Sequence, residues 1–180
     1  FDLAEQKSIE LANLQEHPNG RFVRHARRIL QERAVKGQDL SLAIKKLEDL
    51  LVNSQYLQVK LRALWCLYGI GSMNSDRLVS LLNHKEEHIR IWAIQLLVDH
   101  DAPKAAVIEL FTKMAKTENS GLVRLYLASA LRKIPLQRRW PLARALAQSE
   151  DLADDPVFPL LLWYGIEPAV TGNTKEAISL

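Results

Sequence analysis

Cysteine is nearly missing from this chain: Cys66 is the single one among 180 residues. No internal disulfide can form, which leaves the redox compartment open. Cys66 falls at an expected core position, where a lone thiol packs as a small apolar group. No base stands beside it in sequence, so nucleophilic catalysis has no support. Long apolar runs are missing as well, none approaching the roughly 20 residues that crossing a bilayer requires. The opening residues, from Phe1 onward, do not show the basic-then-apolar pattern of a leader; the chain is expected to be a piece of something larger. Neither a glycine-rich phosphate loop nor a CxxCH haem-attachment motif is present. No stretch alternates between apolar and polar residues from one Gly or Pro boundary to the next, which argues against a sheet. Charge of one sign is in small excess, 24 Lys and Arg against 21 Asp and Glu. General affinity for nucleic acid does not follow from that balance.

What is present is a repeat. Taking an apolar residue as zero, apolar residues recur at plus four, plus seven and plus eight in four places. Phe22, Ala26, Ile29 and Leu30 form the first copy, and Val59, Ala63, Cys66 and Leu67 the second. Ile89, Ala93, Leu96 and Leu97 form the third, and Val123, Leu127, Ala130 and Leu131 the fourth. These offsets fall on one face of a helix with 3.6 residues per turn. The copies start 37, 30 and 34 residues apart, a period that marks stacked helical hairpins. The expected fold is therefore all-α, a right-handed α-α superhelix of about five HEAT-like, armadillo-like hairpins, with residues 1–180 as one domain. Each hairpin alone would leave an apolar face in water, and only stacking on neighbours removes it.

The first helix is expected from an Asp2 cap to about Gln15, with "HPNG" (17–20) as a break. The Phe22 helix should end at Gly37, and a helix through Leu40, Ile44, Leu47, Leu50 and Leu51 should follow an Asp39 or Ser41 cap. The Val59 helix should stop at Gly69 or Gly71. A short helix then starts at Ser75 or Asp76. After the Ile89 helix, Pro103 is expected to open the next one in its first turn, with Ala106, Leu110 and Met114 on its buried side. The Val123 helix should run to Lys133. A fifth pair is expected over roughly 136–148 and 156–165, with Pro141 and Pro159 near the helix starts, and the tail begins another helix.

Charge is unevenly spread. Residues 21–36 carry six basic side chains against Glu32, residues 132–144 carry five and no acid, and from Glu150 onward six acids face Lys175. Such asymmetry describes either a solvated face or one that orients a partner. The residue after the pattern's zero position is Val23, Lys60, Arg90 and Arg124, basic in three copies of four. From there a cation can reach the preceding turn, where Asn53, Glu86 or Glu87, and Glu118 or Asn119 offer acceptors, tying one repeat to the next. The functional alternative is an independent binding module whose basic stripe on the inner, concave surface binds an acidic protein or nucleic acid. Arg24, Arg27, Arg28, Lys60, Arg90, Arg124 and Trp92 are its candidate binding residues. His84 and His88 stand four apart in "HKEEH", a metal-ligand spacing only on one continuous helix; His84 falls at a helix end, and no metal ligand is assigned. Trp65, Trp92, Trp140 and Trp163 are expected in the core or lining a groove. A repeat-fold enzyme, resembling a DNA glycosylase or a metal hydroxylase, is the remaining alternative, and no catalytic or cofactor-binding residue is assigned.

Several strings then stand in a familiar order: "HARRILQERA" (25–34), "LRALWCLYGIG" (61–71), "IRIWAIQLL" (89–97), "VRLYLASALRKIP" (123–135), "RRWPLARAL" (138–146) and "LLLWYGIEPAV" (160–170). Together they resemble the helical-repeat region of the membrane-bound dehydrogenase family also called PVC-type haem-binding proteins, over about residues 9–180. The resemblance implies an exported or periplasmic, multidomain protein. In it a sugar-dehydrogenase-like propeller precedes the repeats and a cytochrome c-like domain follows them. Haem c would then lie elsewhere in the parent, with no cofactor in this segment. The repeats would be a scaffold whose partners are flanking domains of the same polypeptide or another protein, rather than nucleic acid or a membrane.

Overall fold

The computed structural model describes residues 2–180. Among them there are eleven α-helices, short 3-10 turns and no strand, so the all-α helical-repeat class expected from the periodicity is the one observed. The helices gather into two compact units, one ending at Asn74 and one running from Ser75 to Leu180.

The first unit contains α1 (Ser8–Asn13), α2 (Gly20–Val35), α3 (Ser41–Asn53) and α4 (Leu57–Gly69). The expected single opening helix is broken in three: a 3-10 turn at Leu3–Glu5, α1, and a second 3-10 turn at Leu14–Glu16. Asp2 does cap, accepting the Ala4 N–H at 2.9 Å, but its reach is one 3-10 turn. Glu10 accepts the Lys7 N–H and so starts α1 afresh. Asn19 caps α2 by accepting the Arg21 N–H. Gly37, at φ +69°, then closes α2 while the Gln38 N–H bonds back to the Arg33 carbonyl, a left-handed stop that glycine takes without a Cβ clash. In the first copy of the pattern Val23 is buried and Phe22 only half-buried. α3 lies between α1 and α4, and Leu11, Leu30, Leu47, Leu64 and Leu67 meet no solvent.

The second unit holds α5 (Ser75–Leu81), α6 (Glu87–Leu97), α7 (Ala105–Thr117), α8 (Gly121–Ala130), α9 (Trp140–Ala147), α10 (Phe158–Val170) and α11 (Thr174–Ile178). Beyond the α5–α6 pair, the main contacts skip one helix at a time: α6 with α8, α8 with α10, and α7 with α9. That alternation makes two layers, as hairpin stacking requires. Phe111, Ile89, Ile94, Leu127, Leu131, Ile134 and Leu142 are its largest fully buried side chains.

Here several sequence expectations shift. Pro103 precedes α7 instead of opening it, and Lys104 is the N-cap. The buried face of α7 is Val107, Ile108, Phe111 and Ala115, while Ala106 and Leu110 are exposed and Met114 half-buried. The two faces differ by one residue in register, and Phe111 decides between them because it buries the most apolar area. In α6, Ile91 and Ile94 join Ile89 and Ala93 in the core, and Leu96 and Leu97 are only half-buried. α8 ends at Ala130 and continues to Lys133 as a 3-10 turn. Residues 136–138 are 3-10, so the ninth helix starts only at Trp140, with Pro141 in its first turn. α10 runs beyond the expected Gly165 and through Pro168 to Val170.

Candidate interaction surface

The three cations that follow the pattern's zero position all bond within their own unit. Lys60 is buried on α4, and its Nζ donates to the Leu51 and Val52 carbonyls, at 3.0 Å to the first. Those are orphan carbonyls at the end of α3, which a cation satisfies well. Arg90 donates from Nη1 to the His84 and Lys85 carbonyls at 2.8 and 3.1 Å. Its Nε and Nη2 grip Glu118 at 2.9 and 2.8 Å. Glu118 in turn accepts the Ser120 N–H, and the Ser120 hydroxyl donates to Glu87. Arg124, buried on α8, makes the same two-pronged grip on Asp151.

The expected link between turns therefore exists, with different acceptors. Backward, the partners of Lys60 and Arg90 are backbone carbonyls, not Asn53, Glu86 or Glu87. Forward, the carboxylates belong to the turn of the next repeat, Glu118 for Arg90 and Asp151 for Arg124. The hydrogen bond from Arg124 draws the Asp151 carboxyl below the usual carboxylate range, and that bond together with the Asp151 and Glu118 charges raises the Arg124 guanidinium. Three further arginines, which no sequence signal marks, do similar work. Arg33 donates to the Ala4 and Gln6 carbonyls and to Ser8 Oγ. Arg62 donates to the Gln15 and His17 carbonyls. Arg139 is buried and donates to the Ile134, Arg132 and Gly165 carbonyls.

The α2 candidates sit differently. Arg28 is exposed, bonded to His25 Nε2 and paired with Glu32 at 3.5 Å. Arg24 is exposed, with its guanidinium folded back toward Gly20. Arg27 is half-buried, with Cζ 5.4 Å from the centre of the Trp65 ring. Burial lowers its pKa, an effect opposed by Cys66 and added to by the charges of Arg62 and Arg24. Cys66 itself is fully buried, which pushes its thiol up to about 12. Trp92 is half-buried on α6, Trp140 is core, and Trp163 is about half exposed on α10.

His84 and His88 do not converge. His84 Nδ1 accepts the Glu86 N–H at 3.0 Å in the turn before α6, whereas His88 lies within that helix, 3.8 Å from Glu87. Among the described residues no group of three or more His, Cys, Asp or Glu could hold a metal ion. Within the second unit a cleft of about 580 Å3 is lined in part by Leu82, Leu110 and Met114 and by Lys85 and Lys113. No helix among the described residues is long and apolar enough to cross a membrane.

No curated protein and no solved structure matches this chain. A family model described as HEAT repeats matches residues 44–132. That stretch holds the Lys60, Arg90 and Arg124 positions and three of the four pattern copies, so in sequence as in helical pairing it is similar to HEAT repeats, which generally mediate protein interactions.

Proposed function

We propose that this chain is a non-catalytic scaffold that holds other proteins, or neighbouring domains of its own polypeptide, against the exposed faces of its helices. The match to HEAT repeats carries this reading. The turn-to-turn ties support it, since the largely buried Arg90–Glu118 pair and the pair of buried Arg124 with exposed Asp151 hold hairpins in register. Rigid hairpins present side chains at fixed spacing, which lowers the ordering cost of binding. Crosslinking in the native cell, followed by reconstitution from purified components, tests the proposal. A stoichiometric protein complex is the expected result; turnover of a small substrate by the purified chain, with no complex formed, would overturn it.

The finer reading is that residues 1–180 form one repeat domain of a larger exported protein, set between a dehydrogenase-like propeller and a haem c domain. Its support is the order of the six strings from His25 to Val170. A CxxCH downstream in the intact gene product is expected. Deleting the repeats should slow electron transfer from propeller to haem, and unchanged transfer would reject the spacer role.

A further inference from the structure

The faces of α2 and α4 that meet carry cations and no carboxylate. Arg24, Arg27 and Gln31 recur along α2 at helical spacing, and Arg62, Trp65 and Gly69 do so along α4. Arg27 lies over Trp65, and it feels the charges of Arg62 and Arg24. Further along, the Gln31 side chain occupies the space that a Cβ on Gly69 would fill. The one acid of α2, Glu32, pairs with Arg28; α4 has none; and Glu16, in the 3-10 turn packed against both helices, pairs with Lys46 at 3.3 Å. Among the described residues the Arg27 Nε is shielded from solvent without a hydrogen-bond partner, and no ion pair satisfies Arg24. A shielded N–H with no acceptor is costly, and the uncompensated positive charge of the cluster favours an anionic partner.

We propose that the crevice between α2 and α4 is a docking site for carboxylate side chains of an acidic segment of a partner protein, with Arg24 and Arg27 as the recognising groups. The inference rests on the scaffold reading above and names its partner's chemistry. Arg27 lies over Trp65 in a cation–π contact that keeps its charge beside the indole, and a guanidinium suits a planar carboxylate. Arg62 is anchored through Nη1 on the Gln15 and His17 carbonyls and adds a fixed positive charge. Partial desolvation of Arg27 beside the indole strengthens its charge interactions relative to open water. A polyanion such as DNA needs a track of phosphate contacts. The candidate stripe offers no such track, because Lys60, Arg90 and Arg124 are engaged with carbonyls or carboxylates of their own units.

The test uses the intact chain, a fluorescein-labelled deca-glutamate peptide, and fluorescence anisotropy at about 50 mM salt, where exposed charges are weakly screened. R24Q/R27Q should weaken binding at least about tenfold, the loss expected for charge-assisted hydrogen bonds. R132Q/K133Q, a basic pair outside the crevice, should leave affinity unchanged. Arg24 is exposed, so R24Q alone keeps the test valid if the double variant unfolds, and it should lose part of the affinity. Absence of peptide binding, equal losses in both double variants, or oligothymidine binding as tightly as the peptide would each overturn the proposal. If the crevice fails while the reconstituted complex persists, the scaffold reading stands; if the peptide binds there but no complex forms, the scaffold reading falls and the anion site remains.

Discussion

Arginine and lysine at the residue scale do most of the polar work in these hairpins, and their role was partly visible in the sequence. A basic residue one step off the apolar stripe announced a tie between turns. Its acceptor could not be read, because a helical side chain near the N-terminus leans over its own first turn, where the next repeat's turn lies alongside. Arg33, Arg62 and Arg139 left no trace at all, since their acceptors, Ser8 Oγ apart, are backbone carbonyls that every residue carries. Two predictions belong here. Asp151 has its folded pKa lowered by Arg124, so its contribution is complete above the unfolded carboxylate value of about 4 and is lost as pH falls through the lower folded value. Asp151→Asn should melt below wild type near neutral pH, and the gap should close toward about pH 2; a gap independent of pH would refute the assignment. Cys66, with its thiol at about 12 and no solvent contact, should resist a disulfide reagent at neutral pH in the native state and react only as fast as the chain opens.

For elements, register along each helix is what a linear reading resolves least well. The α7 face was misjudged by one residue because rows 106–110–114 and 107–111–115 share the same helical spacing. Only packing reveals that the row with Phe111 is the buried one. The expected end at Gly165 fell short of the length of α10, because packing on α8 and α9 carries the helix on through Pro168 to Val170. Leu127→Ala should lower stability by about 2–5 kcal/mol, and Lys85→Ala, an exposed position, by less than about 0.5 kcal/mol. Denaturant midpoints measure both, and equal midpoints would contradict the observed burial. Gly165 is a closer test of α10 against the turn after α8. A Cβ there would stand 2.7 Å from the Leu131 Cβ, so Gly165→Ala should cost about 1–3 kcal/mol by overpacking, despite alanine's better helix propensity.

Across the whole molecule, local stability should follow burial. α11 has no buried residue and α5 has only Leu78, whereas α4 and α8 bury five or more positions each. Amide hydrogen exchange should therefore be fastest in α11 and α5 and slowest in α4 and α8; uniform protection would be the contrary result. The helical class and the repeat period were legible from one chain because apolar spacing is a local, periodic property that survives in one dimension. Which carboxylate each cation reaches, which row of α7 is buried, and the meeting of Arg24, Arg27 and Arg62 beside Trp65 emerged only on folding. Those are contacts between residues far apart in sequence, and burial and Coulomb energies depend on distance in space, which no spacing along the chain encodes.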